Sequence, residues 1–558
     1  MHIDREFDYV VVGAGSSGCV LANRLTEDGR STVALVEAGP RDTNPWIHVP
    51  IGYGKTMWND RLNWRFSTQA EPTMNGRSIY WPRGKVLGGC SSINGLIVIR
   101  GQQEDYDGWA GRGNEGWGWD DVLPYFRKLE TNTRFAGDPL HGQDGPLHVS
   151  SIPRRHELIE AVCDAAQACG VPRTDDFNGA SQEGVGYYQL TTRNGLRMSA
   201  AKAYLRPAER RANLTILTQT QAMGLVFEGR RATALSVVHK GASATIRARR
   251  GIVLAAGAVQ TPQLLMLSGI GPAAHLTSLG LPVVADLPGV GGNLQDHLQL
   301  RLLYRCTRPV TTNDQLRSWS GKLRMGLEYA LFRGGPLAIG INQGGLFTRV
   351  LPGSRTPDIQ FHIATLSADM AGGQVHDYPG FTLSVCQLRP ESTGTIRLAS
   401  PDPTDAPLIR ANYLATETDR RCAVEALNFA RRLAATEPLA GYVAEEKLPG
   451  PEARTDADLL AFARQYGATI FHPAGTCRMG PQGDAGAVVD ARLRVRGVDG
   501  LWVADCSIMP TLVSGNTNVP AIMIGEKASD MIRDDMNNEN KINAGRTRKW
   551  QRELQTAN

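Results

Sequence analysis

Residues 8–39 read DYVVVGAGSSGCVLANRLTEDGRSTVALVEAG. A hydrophobic run at 9–12 feeds directly into Gly13-x-Gly15-x-x-Gly18. An amphipathic helical stretch follows, then a second apolar run at 33–36 that ends in Glu37. Each part suits a dinucleotide. Gly13 permits the tight turn out of the strand, Gly15 lets the backbone approach a diphosphate, and Gly18 lets the helix pack close on the sheet. The diphosphate sits at the positive end of the helix, and Glu37 can accept hydrogen bonds from a ribose diol. A bare GxGxxG is a weak signal. Here strand, helix, second strand and an acid in the right place supply the context that makes it specific.

The fingerprint alone does not choose between NAD and FAD. Working outward, 558 residues allow two to four domains by length. The chain is 42% hydrophobic and 21% charged, with no apolar run long enough to cross a bilayer. Its 61 glycines suit many turns and close backbone approaches to a ligand. A net charge of +5 is small for this length and forms no basic block in the body, which argues against a nucleic-acid partner. The first strand begins too close to Met1 to leave room for a secretory signal. The nine cysteines are scattered, odd in number and without a CxxC pair, as expected in a reducing compartment. A cytoplasmic protein is expected, with loose association to the inner face of the membrane left open. The oligomeric state is not legible.

The expected fold class is α/β with an α+β second domain. A Rossmann-type dinucleotide domain is assembled from the discontinuous segments 1–155, 190–312 and 463–535. Residues 214–254 read as a β-meander returning to the main sheet at 252–254, and 501–505 (LWVAD) as a buried strand. Residues 156–189 and 313–462 form the second domain. Its strands at 358–364, 381–388 and 394–400 suggest an antiparallel sheet, flanked by helices at 418–434 and 455–465. A helix is expected over 519–532. Beyond it, 536–558 reads as a polar, solvated and partly disordered tail. Asp120 or Asp121 is the expected N-cap of a helix that enters near residue 120.

Five further blocks carry a family resemblance: PRGKVLGGCSSINGLIVIRG (82–101), GAVQTPQLLMLSGIGP (257–272), PGVGGNLQDH (288–297), FHPAGTCRMG (471–480) and SGNTNVPAIMIGEKASD (514–530). In this order they resemble the glucose–methanol–choline (GMC) flavin oxidoreductases, over about 7–532. The likeness is greatest to bacterial alcohol, choline and sorbose dehydrogenases. The resemblance implies FAD in an extended pose. Its diphosphate would lie at Gly13, Gly15, Ser16, Ser17 and Gly18, and its adenosine ribose at Glu37. Ala222 would meet adenine through its backbone. Gly88, Gly89, Asn94, Gly95, Leu96 and Ile97 would pass along the diphosphate and flavin, with Asp505 near the ribityl chain or ring and Asn518 closing over the ring.

The resemblance also implies the chemistry. Oxidising an alcohol means removing a hydroxyl proton and passing hydride from carbon to an acceptor. His472 falls at the family's base position, and neutral imidazole is available near neutral pH. Asn516 falls at the position of a second His or Asn and can donate a hydrogen bond to the developing alkoxide. Electrons would go to a quinone or another non-oxygen acceptor. An oxygen-using oxidase or an FAD-containing cyanohydrin lyase is the alternative within the family, and an NAD-dependent dehydrogenase the alternative outside it. His297 and His362 are expected to be structural or pocket-lining. Asp296 beside His297 lacks the GxSxG elbow of a hydrolase, and no HExxH or clustered Cys/His spacing suggests a metal. Two departures stand out. Ile93 replaces a histidine that some relatives use to attach flavin, so non-covalent FAD is expected. Gln343 is aligned where choline dehydrogenases carry a Glu, which points away from choline and toward a neutral alcohol.

Overall fold

The computed structural model describes residues 5–370 and 372–556. Two sheets organise them. In the first, Leu214–Leu217, Val33–Val36, Glu6–Val12, the far end of Ala242–Leu254 and Leu501–Val503 lie side by side and parallel. Residues 9–12 and 33–36 of the inner strands are apolar and buried, as a sheet covered on both faces requires. All five carboxyl ends point to one crevice, so Gly13, Glu37, Ala255 and Asp505 emerge together, where open α/β sheets bind ligands. Helix Ser16–Leu25 covers one face and packs on the long C-terminal helix.

The meander appears, with one change. Residues 214–228 are not one strand: Gln219 has φ 53 and breaks the run. Leu214–Leu217 joins the parallel sheet, and only Thr220–Glu228 enters the antiparallel ladder with Arg231–His239 and Ala242–Leu254.

The second sheet is antiparallel, in the order Val443–Leu448, Leu298–Cys306, Gly380–Gln387, Ile359–Ala364, Asn342–Thr348 and Gly184–Tyr187. Helix Glu417–Ala434, N-capped by the Thr416 hydroxyl, packs on this sheet and carries helix Asp456–Tyr466. Strand Leu298–Cys306, expected with the dinucleotide segments, instead lies inside this sheet. Its alternating apolar residues pair with Gly380–Gln387 and Val443–Leu448. The short pair Thr395–Arg397 and Leu408–Arg410 stands apart from it.

Helix Trp119–Leu129 is capped by Gly118, not by an aspartate; Asp121 sits in its first turn and accepts from the Gly118 N–H at 3.0 Å. The last helix runs Asn518–Thr556, past the expected stop and through most of the tail. Residues 533–556 are polar, but they contain no proline and one glycine, so nothing in the sequence ends the helix. Asp535 fastens its middle to Arg492 and Arg494, each at 2.7 Å. Residues 557 and 558, like 1–4, lie outside the described residues.

Candidate active site

A cavity of about 850 Å³ is lined jointly by the dinucleotide fingerprint and by the second sheet. At the fingerprint, Gly13 has φ 97, and a Cβ there would lie 2.6 Å from the Ala255 carbonyl oxygen. A Cβ on Gly18 would lie 1.8 Å from the Gly13 oxygen. Gly15 differs: its nearest neighbour would be 3.9 Å away, because it faces the cavity. Helix Ser16–Leu25 starts at Gly15 with no side-chain cap and no acid in its first turn. Its free N–H groups and positive dipole end therefore front the cavity, which fits a diphosphate. Gly88 donates its N–H to the Ala14 oxygen at 2.7 Å, and a Cβ on Gly89 would sit 2.7 Å from the Gly15 Cα. The second glycine cluster thus lies directly against the first.

Glu37 is buried in the cavity wall. One carboxylate oxygen accepts from Ala14 N at 3.0 Å and the other from Gly39 N at 2.8 Å. Burial outweighs these bonds and raises its pKa to about 7. Each oxygen keeps a lone pair for a ribose hydroxyl. Ser16, Ser17, Asn94, Gly95, Leu96, Ile97, Ala222, Asp505 and Asn518 also line the cavity, whereas Gly18 and Gly88 lie behind it. Asn518 accepts from the Ser16 hydroxyl at 2.8 Å, joining the starts of two helices. The Asp505 carboxylate is engaged within the protein, by Gly257 N, the Thr261 hydroxyl and Ser507 N.

His472 and Asn516 are brought together in the same cavity. Asn516 Nδ2 lies 3.2 Å from His472 Nε2. Two consecutive residues hold His472. Asp296 accepts its backbone N–H at 2.8 Å, just after Phe471, whose φ is 73. His297 meets its ring, Nδ1 to Nδ1, at 3.0 Å. His297 Nε2 lies 2.9 Å from the Leu388 carbonyl oxygen. A carbonyl only accepts, so that nitrogen carries the hydrogen. Burial pushes His297 down to about 4 and holds His472 well below the usual imidazole range, so both are neutral at pH 7. His297 Nδ1 is then bare and accepts from His472 Nδ1–H, leaving on His472 Nε2 a lone pair that accepts from the Asn516 Nδ2–H. That lone pair faces the Asn516 amide and the cavity. On its other side Asn516 Oδ1 accepts from Gln360 Nε2 at 3.1 Å, which fixes the amide with Nδ2 as donor. Gly515 makes the approach possible, since a Cβ there would lie 2.3 Å from Ile99 Cγ2.

His297, expected to be structural or pocket-lining, instead holds the ring of His472; its adjacency to Asp296 in NLQDH is the available signal in the sequence. His362 lines the cavity as expected and is buried. Burial pushes its pKa down to about 3, against the opposing effect of the neighbouring Asn516 side chain. Gln343 turns away from the cavity, with Nε2 donating to the Thr365 hydroxyl at 3.1 Å. The preceding residue, Asn342, lines the cavity instead. The acids in the wall are Glu37, Asp505 and Asp405, while Lys55, Arg83, Arg301 and Lys322 line it too. All nine cysteines are free, and no metal-competent cluster of His, Cys, Asp or Glu occurs among the described residues.

Residues 7–299 and 390–525 match the N- and C-terminal GMC oxidoreductase families. An alcohol dehydrogenase [acceptor] of Pseudomonas putida is 42% identical over 529 residues, covering 94% of this chain and 95% of that protein. The human mitochondrial choline dehydrogenase is 43% identical over 536 residues, covering 95% and 90%. Among solved structures, an FAD-containing formate oxidase of Aspergillus oryzae superposes with a TM-score of 0.89 at 26% identity, over 96% of this chain and 100% of that one.

Proposed function

Since the chain belongs to the GMC oxidoreductase family, we propose that it oxidises a neutral alcohol to an aldehyde or ketone and delivers the electrons to a quinone or another non-oxygen acceptor. The cofactor is FAD, and with Ile93 in the wall it is held without a covalent bond from that position. Bound FAD supplies the acceptor for the hydride that leaves the substrate carbon.

The observation that carries this reading is the unprotonated His472 Nε2, 3.2 Å from a donating Asn516 Nδ2 in the cavity that the fingerprint opens into. A substrate hydroxyl that replaces this contact, reaching both groups, gives its proton to His472 Nε2. As negative charge grows on the oxygen, the Asn516 N–H stabilises it without competing for the proton. His297 keeps the lone pair on the nitrogen that faces the substrate, and Asp296 keeps the backbone in place. Gly13, Gly15, Ser16 and Ser17 hold the diphosphate, Glu37 the ribose, and Ala222 the adenine. Gly89, residues 94–97, Asp505 and Asn518 enclose the rest, while Gly18 and Gly88 set the backbone behind.

Choline and alcohol dehydrogenase relatives are equally similar overall, so the pocket must discriminate. Asp405 lies at the adenine side, its backbone carbonyl accepting from Gln263 Nε2 at 2.9 Å, and Glu37 and Asp505 sit at strand ends of the dinucleotide sheet. On the second sheet the charged wall residue is Arg301, which donates to the carbonyls of Ala368 and Asp369 and, among the described residues, to no carboxylate. A trimethylammonium group gains nothing there; a neutral alcohol is not penalised.

Anaerobic addition of alcohols from a panel of alkanols, aryl alcohols, sugars and polyols should bleach the visible flavin spectrum. His472→Ala should slow that half-reaction by roughly 10²–10⁴-fold with flavin content retained. An FAD-loaded protein that no alcohol reduces would end the proposal. The fold shared with an oxidase favours one second reading, direct reoxidation by oxygen. Stoichiometric hydrogen peroxide in air would select it.

A further inference from the structure

Helix Trp319–Phe332 begins at a Ser318 cap and ends at Arg333, which has φ 51. Only Met325 and Tyr329 of its residues are buried. Its outward face is apolar. Trp319 is 78% exposed, Leu327 51%, Leu331 70% and Phe332 77%, with Leu323 completing an i, i+4, i+8, i+12 stripe. Exposed leucines scattered singly need no explanation, but a contiguous stripe on one helix does.

Charge identifies the occupant. Arg317, Lys322, Arg324 and Arg333 are exposed around the stripe, and none forms an ion pair among the described residues. The acids of this segment are less exposed, and Asp314 is committed to the Thr311 cap. A second copy docked two-fold on this face would set these cations against one another. An anionic surface would neutralise them. Leu316, Lys322 and Met325 also line the catalytic cavity, as does Met370, which is itself exposed. The cavity therefore borders this face.

We propose that helix Trp319–Phe332 docks the protein on an anionic lipid bilayer. The stripe enters the acyl boundary, Trp319 and Phe332 lie at the headgroup level, and the arginines and lysine reach the phosphates. No described helix is long and apolar enough to cross a membrane, so the helix lies in the interface rather than spanning it. Docking would bring the cavity to the phase where apolar alcohols and quinones concentrate. The lipid contact itself does not depend on the redox reading.

The test is sedimentation of the FAD-loaded full chain with phosphatidylcholine vesicles, with and without phosphatidylglycerol, at low and high salt. Binding is expected with phosphatidylglycerol, weakening as salt screens the cations. A Leu327→Glu/Leu331→Glu variant should lose at least about tenfold in the bound-to-free ratio. Its reduction by alcohol in solution should be unchanged, because neither leucine lines the cavity. Arg324→Glu should weaken binding in the same direction. Absence of binding to phosphatidylglycerol vesicles would overturn the proposal. So would equal binding by the variants, which would assign the affinity to another surface. A dimer dispersed by Leu327→Glu/Leu331→Glu, without vesicle binding, would overturn it in favour of a contact between copies. Failure of every alcohol to reduce the flavin would leave the vesicle result intact and strike only the redox proposal.

Discussion

His297 and His472 meet nitrogen to nitrogen, Nδ1 to Nδ1 at 3.0 Å, and only one of the two can carry the hydrogen between them. The Leu388 carbonyl decides which, by taking the His297 Nε2–H. Removing His297 therefore frees the tautomer of the base without touching the substrate. For His297→Leu we expect FAD to remain bound and alcohol-driven flavin reduction to slow by roughly 10- to 100-fold, less than loss of the base itself. His297→Gln should recover part of the rate, because its amide can accept from His472 and donate to Leu388. Rapid-reaction kinetics with both variants separate positioning from a packing defect, which the glutamine would not repair.

Burial and the neighbouring imidazoles depress the His472 pKa below the ordinary value of about 6.5. The base is competent when neutral, so activity is lost only as pH falls through the depressed value. The acid limb of kcat/KM should lie below about 6.5. Asn516→Asp places a carboxylate beside His472 Nε2, favours imidazolium and should move that limb to higher pH. It also removes the amide donor, so the plateau should fall by about 10²–10³-fold. A pH–rate profile of both proteins shows the shift; an acid limb that stays put in the variant would contradict the assigned contact.

The three fingerprint glycines should fail differently. Gly18→Ala drives a methyl to 1.8 Å from the Gly13 oxygen, so the helix must move off the sheet and little folded protein is expected. Gly15→Ala meets nothing closer than 3.9 Å. It should fold, with its methyl in the space proposed for the diphosphate, and lose FAD. Gly89→Ala presses on the Gly15 Cα at 2.7 Å, with φ 52 opposing any side chain, and should lose both FAD and stability. Circular dichroism and flavin content on each variant make the comparison.

What could be read in advance follows how local its cause is. The Gly13–Gly18 turn and Glu37 were legible because the backbone geometry they require is set within one strand–helix–strand unit. The helix Glu417–Ala434 was legible to within a residue, because its periodicity and Thr416 cap are local signals. His297 was not, because its partner lies 175 residues away. The 214–228 break is not legible because the polar stretch 218–221, TQTQ, suits a strand as well as a turn, and only the positive φ at Gln219 ends the run. The polar tail reads as solvated and partly disordered although no residue type in it forbids a helix. Gln343 is expected to face the substrate, whereas its neighbour Asn342 lines the cavity. A strand alternates its faces every residue, and the register slips between Asn342 and Gly344, so an error of one exchanges cavity for core.

That slip locates a change of substrate preference. Asn342, not Gln343, presents its amide to the cavity, on the sheet whose charged wall residue is Arg301. Asn342→Glu would introduce a carboxylate with no hydrogen-bonding role in the fold, free to meet a quaternary ammonium. The ratio of kcat/KM for choline to that for the best neutral alcohol should rise by at least about tenfold, the equivalent of about 1.4 kcal/mol. Gln343→Glu should not do the same. Its side chain points at Thr365, 3.1 Å away and out of the cavity, so a carboxylate there would lose a donor and cost stability. Steady-state kinetics on the pair, with thermal denaturation as the companion measurement, decides between the two positions. A gain for choline in Gln343→Glu and none in Asn342→Glu would reverse the assignment of the wall.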